Sequence, residues 1–188
     1  MLLTADAHVV QALRMTHALK MKITCSKVRC QAIGIALAAQ LDKKKYYTYC
    51  LTSDGEQQEG NTWEAVMFAG KRRLHNLISV MDRNYIQIDG DTEEVMALEP
   101  LRAKYEAFNW HVLEVDGHNL AAFIGAVNEA QAVYEKPTLI IAHTIPGKGV
   151  GFMENDYRWH GMPPNQEQAT IALSELQAEH QSLTGGRR

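Results

Sequence analysis

The sequence lacks several features that mark specialised classes of protein. No apolar run approaches the roughly 18 residues that a bilayer-spanning helix needs, and the first residues have neither a basic start nor an apolar core. The formal net charge of -3 gives no excess of positive charge for binding nucleic acid or anionic lipid. We therefore expect a cytoplasmic protein with no membrane segment and no nucleic-acid partner.

Cysteine is also scarce. The three cysteines, Cys25, Cys30 and Cys50, form neither an even set for disulfides nor a Cys-x-x-Cys metal pair. We interpret them as free thiols with a role in packing. The chain has 188 residues, of which 46% are hydrophobic and 22% charged, so it is long enough for one compact domain and too short for two ordinary ones. The prediction is one globular domain.

Two periodicities alternate along most of the chain, one typical of strands and one typical of amphipathic helices. The patterns predict strands at 46–51, 77–81, 110–115 and 138–142, and helices at 31–41, 63–69, 100–108, 120–134 and 165–178. Such alternation indicates an α/β fold in which a parallel sheet has helices on both faces. Folds of this kind bind ligands at the carboxyl ends of their strands.

The chain divides into three parts by its patterns. Residues 1–30 form an atypical N-terminal segment, in which Val9, Val10, Leu13 and His17 share a helical face. Residues 31–180 form the α/β domain, and residues 181–188 form a tail. Inside the domain, the glycines and prolines of residues 144–164 predict a long loop. Loops of this length without regular structure often have a function.

An acidic octet, SDGEQQEG at 53–60, follows the first predicted strand. One interpretation is a solvated turn, because Asp-Gly is a common turn dipeptide and acids suit the first turn of a helix. The other is a ligand-binding turn, because a second polar segment, DRNYIQIDG at 82–90, follows the next strand. The carboxyl ends of parallel strands meet at one edge of a sheet, so we expect the two turns to converge.

The two turns carry hard oxygen ligands. Asp54 offers a carboxylate, Asn84 offers an amide oxygen, and the turn after Asn84 offers backbone carbonyls, which are the ligands that Mg²⁺ prefers. A diphosphate could supply further oxygens. The N–H of Gly55 can approach a phosphate closely because glycine has no side chain in the way. We expect Asp54 itself to lie on a surface turn with little packing.

The ordered motifs resemble the thiamine-diphosphate part of the transketolase family. The resemblance begins with SDGEQQEGNTWEA at 53–65 and DRNYIQIDG at 82–90, and it continues through EVDGHN at 114–119, TIPGKGVGFMEND at 144–156 and WHGMPP at 159–164. It implies a thiamine-diphosphate-binding fold with thiamine diphosphate and Mg²⁺ as cofactors. The implied activity is transfer of a two-carbon ketol unit between ketose and aldose phosphates in the pentose phosphate pathway.

The resemblance also implies how the two turns bind the cofactors. Asp54, the side chain of Asn84 and the carbonyl of Ile86 would bind Mg²⁺, and the N–H of Gly55 would bind the diphosphate.

Further roles come from the same resemblance. His160 would lie near the diphosphate and the substrate entrance, and Glu59 would link the two cofactor sites of a dimer. Ile88 and Ile145 would pack near the thiazolium ring, and His118 would order its own loop. The alternatives are a structural hydrogen bond for His160, a helix-start acid for Glu59, and core packing for the isoleucines.

The resemblance covers only the diphosphate-binding part of a transketolase. In the family, the glutamate that hydrogen-bonds the aminopyrimidine belongs to another domain, and the protein supplies orientation while the cofactor supplies the chemistry. A second chain with the pyrimidine-binding and C-terminal domains is therefore implied, as in the split enzymes of some prokaryotes. The assembly would be a homodimer or a heterotetramer.

Departures from the family pattern favour an alternative function. KVRCQA at 27–32 stands where the family has Gly-Ser-Leu-Gly-Gln-Gly, and Ser53 replaces the first glycine of Gly-Asp-Gly. The upstream Gly-His-Pro-Gly segment has no counterpart, and His8 and His17 do not replace it. A catalytically silent or repurposed protein with a degraded cofactor site is therefore an alternative. A thiamine-dependent synthase or dehydrogenase of another branch is a smaller one.

Overall fold

The computed structural model describes residues 28–185, with side chains described up to residue 182. The N-terminal helical face and Cys25 lie outside these residues. Cys50 is buried and Cys30 is exposed, both as free thiols. The elements are α1 (Val28–Leu41), β1 (Thr48–Ser53), α2 (Gly60–Arg72), β2 (Leu77–Arg83), β3 (Ile86–Gln87), β4 (Gly90–Asp91), α3 (Thr92–Val95), α4 (Leu101–Ala107), β5 (His111–Asp116), α5 (Leu120–Gln131), β6 (Thr138–His143) and α6 (Gln166–Gly185), with 3₁₀ turns at Gly55–Gln58 and Tyr157–Trp159.

The main sheet has four parallel strands in the order β1-β2-β6-β5. At its centre, Val80 of β2 lies opposite Leu51 of β1 on one side and Ile140 of β6 on the other. Every residue of β2 is buried, as is typical of a central parallel strand covered on both faces. The predicted parallel α/β architecture is confirmed.

Two hydrophobic clusters cover the two faces of this sheet. One contains Val66 of α2 and Tyr105 of α4 together with residues of α1. The other contains Phe123 and Val127 of α5 packed on Ile78 and other strand residues. The expected helices on both faces are therefore present, and they fix the strand ends relative to one another.

The strands next to the polar turns end later than their apolar runs. The sequence pattern predicts ends at residues 51 and 81, but β1 continues to Ser53 and β2 to Arg83. Ser53 still pairs with Asp82, because ladder hydrogen bonds use the backbone and do not depend on side-chain polarity. The polar residues at the site therefore begin on the strands themselves.

Helix boundaries also differ from the predictions. Thr62 is expected from the sequence to cap the second helix, but α2 begins at Gly60 with Glu59 in the cap position. Thr62 instead lies in the first turn, where its Oγ1 donates to the carbonyl of Glu56 at 2.8 Å. The last helix has a predicted end at residue 178 and continues to Gly185, because no helix-breaking residue intervenes.

A short hairpin follows β2 where the sequence predicts only a turn. Its strands β3 and β4 are antiparallel, with Ile86 opposite Asp91 and Gln87 opposite Gly90. Gly90 has φ of 153°, a conformation that favours glycine. Two-residue strands are too short for a period of two to be recognised, so the sequence pattern does not reveal this hairpin.

The loop after β6 has a small core of its own. Val150 and Met153 are buried against Ala172 of α6, with Phe152 and Trp159 packed beside them. The indole N–H of Trp159 donates to the carbonyl of Phe152 at 3.0 Å. Across residues 28–185, no helix is both long enough and apolar enough to cross a membrane.

Gly70→Ala is expected to destabilise the domain, because Gly70 of α2 packs against the end of α4. An added Cβ would lie 1.8 Å from the carbonyl oxygen of Phe108, so one helix must move at a cost of about 1–3 kcal/mol. The matched control is Gly125→Ala in α5, whose Cβ would meet nothing within 4 Å. That variant should gain about 0.5–1 kcal/mol. Urea unfolding measures both, and equal stabilities would contradict this packing.

Candidate functional site

The two polar turns converge at the carboxyl end of the sheet, as the sequence predicts. The N–H of Asp54 donates to the carbonyl of Asp82 at 3.2 Å, and the N–H of Tyr85 donates to Oδ2 of Asp54 at 2.7 Å. A Cβ placed on Gly55 would lie 3.4 Å from Cβ of Gln87. The turn after β1 and the hairpin after β2 therefore form one contiguous surface.

Asp54 is fully buried at the centre of this surface. Its Oδ1 accepts the N–H of Gly55 at 2.8 Å, and its Oδ2 accepts a guanidinium N–H of Arg83 at 3.0 Å as well as the N–H of Tyr85. The expectation of a loosely packed surface turn is therefore wrong. The physical reason is that the following 3₁₀ turn and Arg83 enclose the carboxylate.

Burial raises the pKa of Asp54 above its usual value. The hydrogen bonds from Arg83 and from the N–H groups of Tyr85 and Gly55 act in the opposite direction without cancelling the rise. A cation beside this carboxylate would favour its ionised form. Cation binding and loss of the Asp54 proton are therefore coupled.

Asn84 has a fixed amide orientation. Its Nδ2 donates to Oδ2 of Asp82 at 3.1 Å, and its Oδ1 accepts the N–H of Ile86 at 3.1 Å. Asp82 is held in turn by the hydroxyl of Thr144, which donates to its other oxygen. Oδ1 of Asn84 keeps its second lone pair, because an amide oxygen accepts two bonds.

This donor set fits Mg²⁺. It would combine the carboxylate of Asp54, the amide oxygen of Asn84 and the carbonyl of Ile86, all of them hard oxygen ligands on adjacent turns. Among residues 28–182, no group of three or more His, Cys, Asp or Glu side chains could hold a metal. This donor set is of a different kind, because it has one carboxylate and two neutral oxygens. For the diphosphate, the N–H of Gly55 would first have to leave Oδ1 of Asp54.

The two isoleucines differ in their surroundings. Ile88 is 75% exposed at the hairpin, so the core-packing interpretation is wrong for this residue. Its exposure leaves it available to a ligand or to another protein surface. Ile145 is half-buried, and its N–H donates to Nε2 of His118 at 2.8 Å. His118 thus orders the loops after β5 and β6, as expected.

His160 and Glu59 have no hydrogen-bonded partner for their side chains among residues 28–182. His160 is exposed and follows the 3₁₀ turn Tyr157–Trp159, which lies beside β4. Glu59 is half-buried and precedes α2 without a side-chain capping bond. The predicted roles at a substrate entrance and between two sites stay predictions.

Arg83 is the main residue that the sequence interpretation missed. Its guanidinium is fully buried and forms ion pairs with Asp54, Glu93 and Glu99 at 3.0, 2.7 and 3.1 Å. It also lies over the ring of Tyr85, 4.0 Å from the ring centroid. An arginine in a polar turn looks like a solvated charge. The only sequence signal was its place between Asp82 and Asn84.

A chain of exposed polar contacts holds Tyr85 in place. Its hydroxyl bonds to Nδ1 of His143 at 2.8 Å, and Nε2 of His143 bonds to Glu114 at 2.9 Å. Arg102 donates to the same carboxylate at 3.0 Å. The bonds from His143 and Arg102 lower the pKa of Glu114. Tyr85 has φ of 67°, which is rare for an aromatic residue, so these contacts help to maintain the turn.

Arg29 lies in the segment where the family has glycines. It is only 3% exposed, and its Nη2 donates to Thr52 at 2.9 Å and to Gln57 at 3.3 Å. Its Nε and Nη1 are buried without a hydrogen-bond partner. Gln57 also accepts the hydroxyl of Tyr105, whose pKa is raised by burial to about 12. The first turn of α1 therefore carries a large cationic side chain that is buried in the domain.

Known sequences resemble this chain over most of its length. The profile of the family described as "Transketolase, thiamine diphosphate binding domain" matches residues 28–182. The chain is 45% identical over 148 residues to the 6-deoxy-6-sulfo-D-fructose transketolase subunit SqwG of Clostridium sp. (strain MSTE9), a match that covers 79% of this chain and 54% of that protein. It is 42% identical over 151 residues to one subunit of the apulose-4-phosphate transketolase of Phocaeicola vulgatus, with 80% and 54% covered. The chain spans about half the length of these curated relatives.

Solved structures share the fold. Transketolase from Campylobacter jejuni superposes with a TM-score of 0.74 at 32% identity, over 79% of this chain and 24% of that one. Transketolase from Pichia stipitis, in complex with sedoheptulose-7-phosphate, gives 0.69 at 32% identity, over 82% and 27%. These similarities confirm the predicted thiamine-diphosphate-binding α/β fold.

Asp54→Ala is expected to destabilise the domain by about 1–3 kcal/mol, because a buried guanidinium and two N–H groups lose their acceptor. Glu93 and Glu99 still pair with Arg83, which limits the loss. Asp89→Ala, which removes an exposed acid from the same hairpin, is the control and should change stability by less than about 0.5 kcal/mol. Urea unfolding compares the two. A stability of Asp54→Ala equal to wild type would contradict the buried network.

Proposed function

This chain belongs to the family of transketolase thiamine-diphosphate-binding domains, and we propose that it forms part of the N-terminal subunit of a two-chain transketolase. The reaction is transfer of a two-carbon ketol unit between a ketose phosphate and an aldose phosphate. The observation that carries the proposal is that the turn after β1, which contains Asp54, contacts the segment after β2, which contains Asn84 and Ile86. These residues are the oxygen donors that a magnesium diphosphate needs.

The chain's own residues hold the cofactor in this proposal. Asp54, Oδ1 of Asn84 and the carbonyl of Ile86 bind Mg²⁺, and the N–H of Gly55 binds the diphosphate. Asp82 keeps the amide oxygen of Asn84 on the ligand side. When bound, thiamine diphosphate supplies the thiazolium carbon that accepts the two-carbon unit. The protein supplies the orientation of that ring and the oxygen ligands that would hold Mg²⁺ against the diphosphate.

Three further residues have roles in this proposal. His160 acts near the diphosphate at the substrate entrance, Glu59 connects the two sites of the assembly, and Ile88 packs near the thiazolium ring. The exposure of Ile88 and His160 supports this assignment, because both are accessible to a ligand or another chain. Glu59 is half-buried and has no side-chain capping bond.

The partner is a second chain that carries the pyrimidine-binding and C-terminal domains, in a homodimer or heterotetramer. The relatives from Clostridium and Phocaeicola vulgatus are named as transketolase subunits, which supports a multi-chain enzyme. Their names give two different sugars, 6-deoxy-6-sulfo-D-fructose and apulose-4-phosphate. Only the second of these is a phosphate ester. The proposed substrates of this chain are sugar phosphates, used in the cytoplasm and in the pentose phosphate pathway.

A catalytically silent or repurposed protein is the second candidate. The observation that favours it is Arg29, a buried guanidinium with two unpaired nitrogens in the segment where the family has glycines. Its buried charge lies against Thr52 and Gln57, which flank the turn that carries Asp54. The two candidates differ in whether the chain binds the cofactor at all.

Thermal unfolding with Mg²⁺ and thiamine diphosphate tests cofactor binding. Ligand at 100 times its dissociation constant adds about 2.7 kcal/mol of stability, and we expect an upward shift that needs both components. Asn84→Ala should abolish the shift because a metal ligand is lost. Asn128→Ala, on an exposed position of α5, should keep it. No shift with the wild-type chain would support the silent protein instead.

Turnover tests the need for a partner. The purified chain alone should show no ketol transfer, because it carries only the diphosphate part of the site. Addition of a chain with the pyrimidine-binding domain should restore transfer, measured as formation of the new ketose phosphate. Robust transfer by this chain alone would contradict the two-chain enzyme.

A further inference from the structure

We propose that Arg83 is a positioning residue that holds Oδ2 of Asp54 so that Oδ1 is the oxygen presented to the cation. The inference rests on the proposed function, because it needs Asp54 to be a metal ligand. The family motif implies metal ligands at Asp54, Asn84 and Ile86 and implies no role for an arginine at position 83. The hydrogen bonds of the two side chains assign that role.

The acceptor positions of Asp54 are unequally filled. A carboxylate oxygen accepts about two hydrogen bonds. Oδ2 receives two, from Arg83 at 3.0 Å and from the N–H of Tyr85 at 2.7 Å. Oδ1 receives one, from Gly55 at 2.8 Å. The remaining lone pair therefore lies on Oδ1, and Arg83 is the side chain that occupies the other oxygen.

The guanidinium is itself held firmly. Nη1 also donates to the hydroxyl of Thr92 at 2.7 Å, and Nη2 donates to Glu93 at 2.7 Å and to Glu99 at 3.1 Å. The carboxylate of Glu93 also accepts the backbone N–H groups of Leu98 and Glu99, which hold it in place. The planar guanidinium presents five N–H donors in a fixed geometry, whereas a lysine ammonium is a compact charge with three rotatable donors.

The charges of this group also suit a divalent cation. Arg83 contributes one positive charge, and Asp54, Glu93 and Glu99 contribute three negative ones, so the formal charge is -2. A divalent cation on Asp54 would bring the group to neutrality. Arg83 therefore allows three carboxylates to lie together without repelling one another, and it leaves enough negative charge for the metal.

A competing possibility is that Arg83 only stabilises the fold. The two roles differ in metal affinity, because a purely structural pair would leave the affinity of folded protein unchanged. Mn²⁺ serves as the probe, with its dissociation constant measured by electron paramagnetic resonance in the presence of thiamine diphosphate. Circular dichroism establishes that each variant is folded.

Arg83→Lys keeps the positive charge and removes the planar guanidinium. We expect its Mn²⁺ dissociation constant to rise about tenfold to a hundredfold, the usual effect of losing a residue that orients a metal ligand. Arg72→Lys is the control, because Arg72 is exposed in the last turn of α2, which leads to the start of β2, whereas Asp54 follows the end of β1. Its affinity should equal that of wild type.

Thr92→Val is the second variant, used if Arg83→Lys does not fold. It removes one acceptor of Nη1 at nearly constant volume and should weaken Mn²⁺ binding in the same direction by a smaller factor. A folded Arg83→Lys, or a folded Thr92→Val in its place, with wild-type affinity would overturn this inference and leave the proposed function standing. Absence of Mn²⁺ binding by the wild-type chain would overturn the metal site, and this inference with it.

Discussion

The buried ion pair between Arg83 and Asp54 is the interaction on which the rest of the candidate site depends. Neither side chain has exposed surface, and a buried charge without its partner is far more costly than the pair. The parallel pairing of β1 with β2 places the two residues together, because Ser53 lies opposite Asp82 at the ends of the strands. Hydrogen bonds from the following turn then fix the carboxylate. Strand register thus determines the geometry of a polar site.

The exposed side chains near the two polar turns support the proposal that a second chain completes the cofactor site. The oxygen donors lie on two turns of one chain and are held by internal hydrogen bonds. Ile88 and His160 are exposed around them, and Glu59 stands half-buried at the start of α2. An exposed isoleucine in the hairpin gains nothing from burial in this chain, since apolar surface gains free energy only when it is covered. A second chain that carries the pyrimidine-binding domain would cover it.

Two features of the structure favour different functions: the proposed metal-binding turn at Asp54 and the buried Arg29 at the start of α1. The side chains of Asp54 and Asn84 have hydrogen-bond partners. Arg29 buries two nitrogens without acceptors, which costs free energy, and Arg83 buries one, its Nε. The first feature favours an active cofactor site and the second a silent one. Both lie at the same end of β1, because Arg29 contacts Thr52 one strand position before Ser53. The proposed cofactor site and the buried guanidinium are therefore neighbours in the fold.

The sequence by itself determined the parallel α/β fold and the meeting of two polar turns. Central parallel strands are buried on both faces and hence read as apolar runs, and parallel strands end at one edge. Only the tertiary structure decided that Asp54 is buried and that Arg83 holds it, because the other partners of Arg83, Glu93 and Glu99, are 10 and 16 residues away in the chain. It also decided that Ile88 is exposed. Local patterns record periodicity and turn chemistry, whereas burial of a charge depends on groups that only folding brings together.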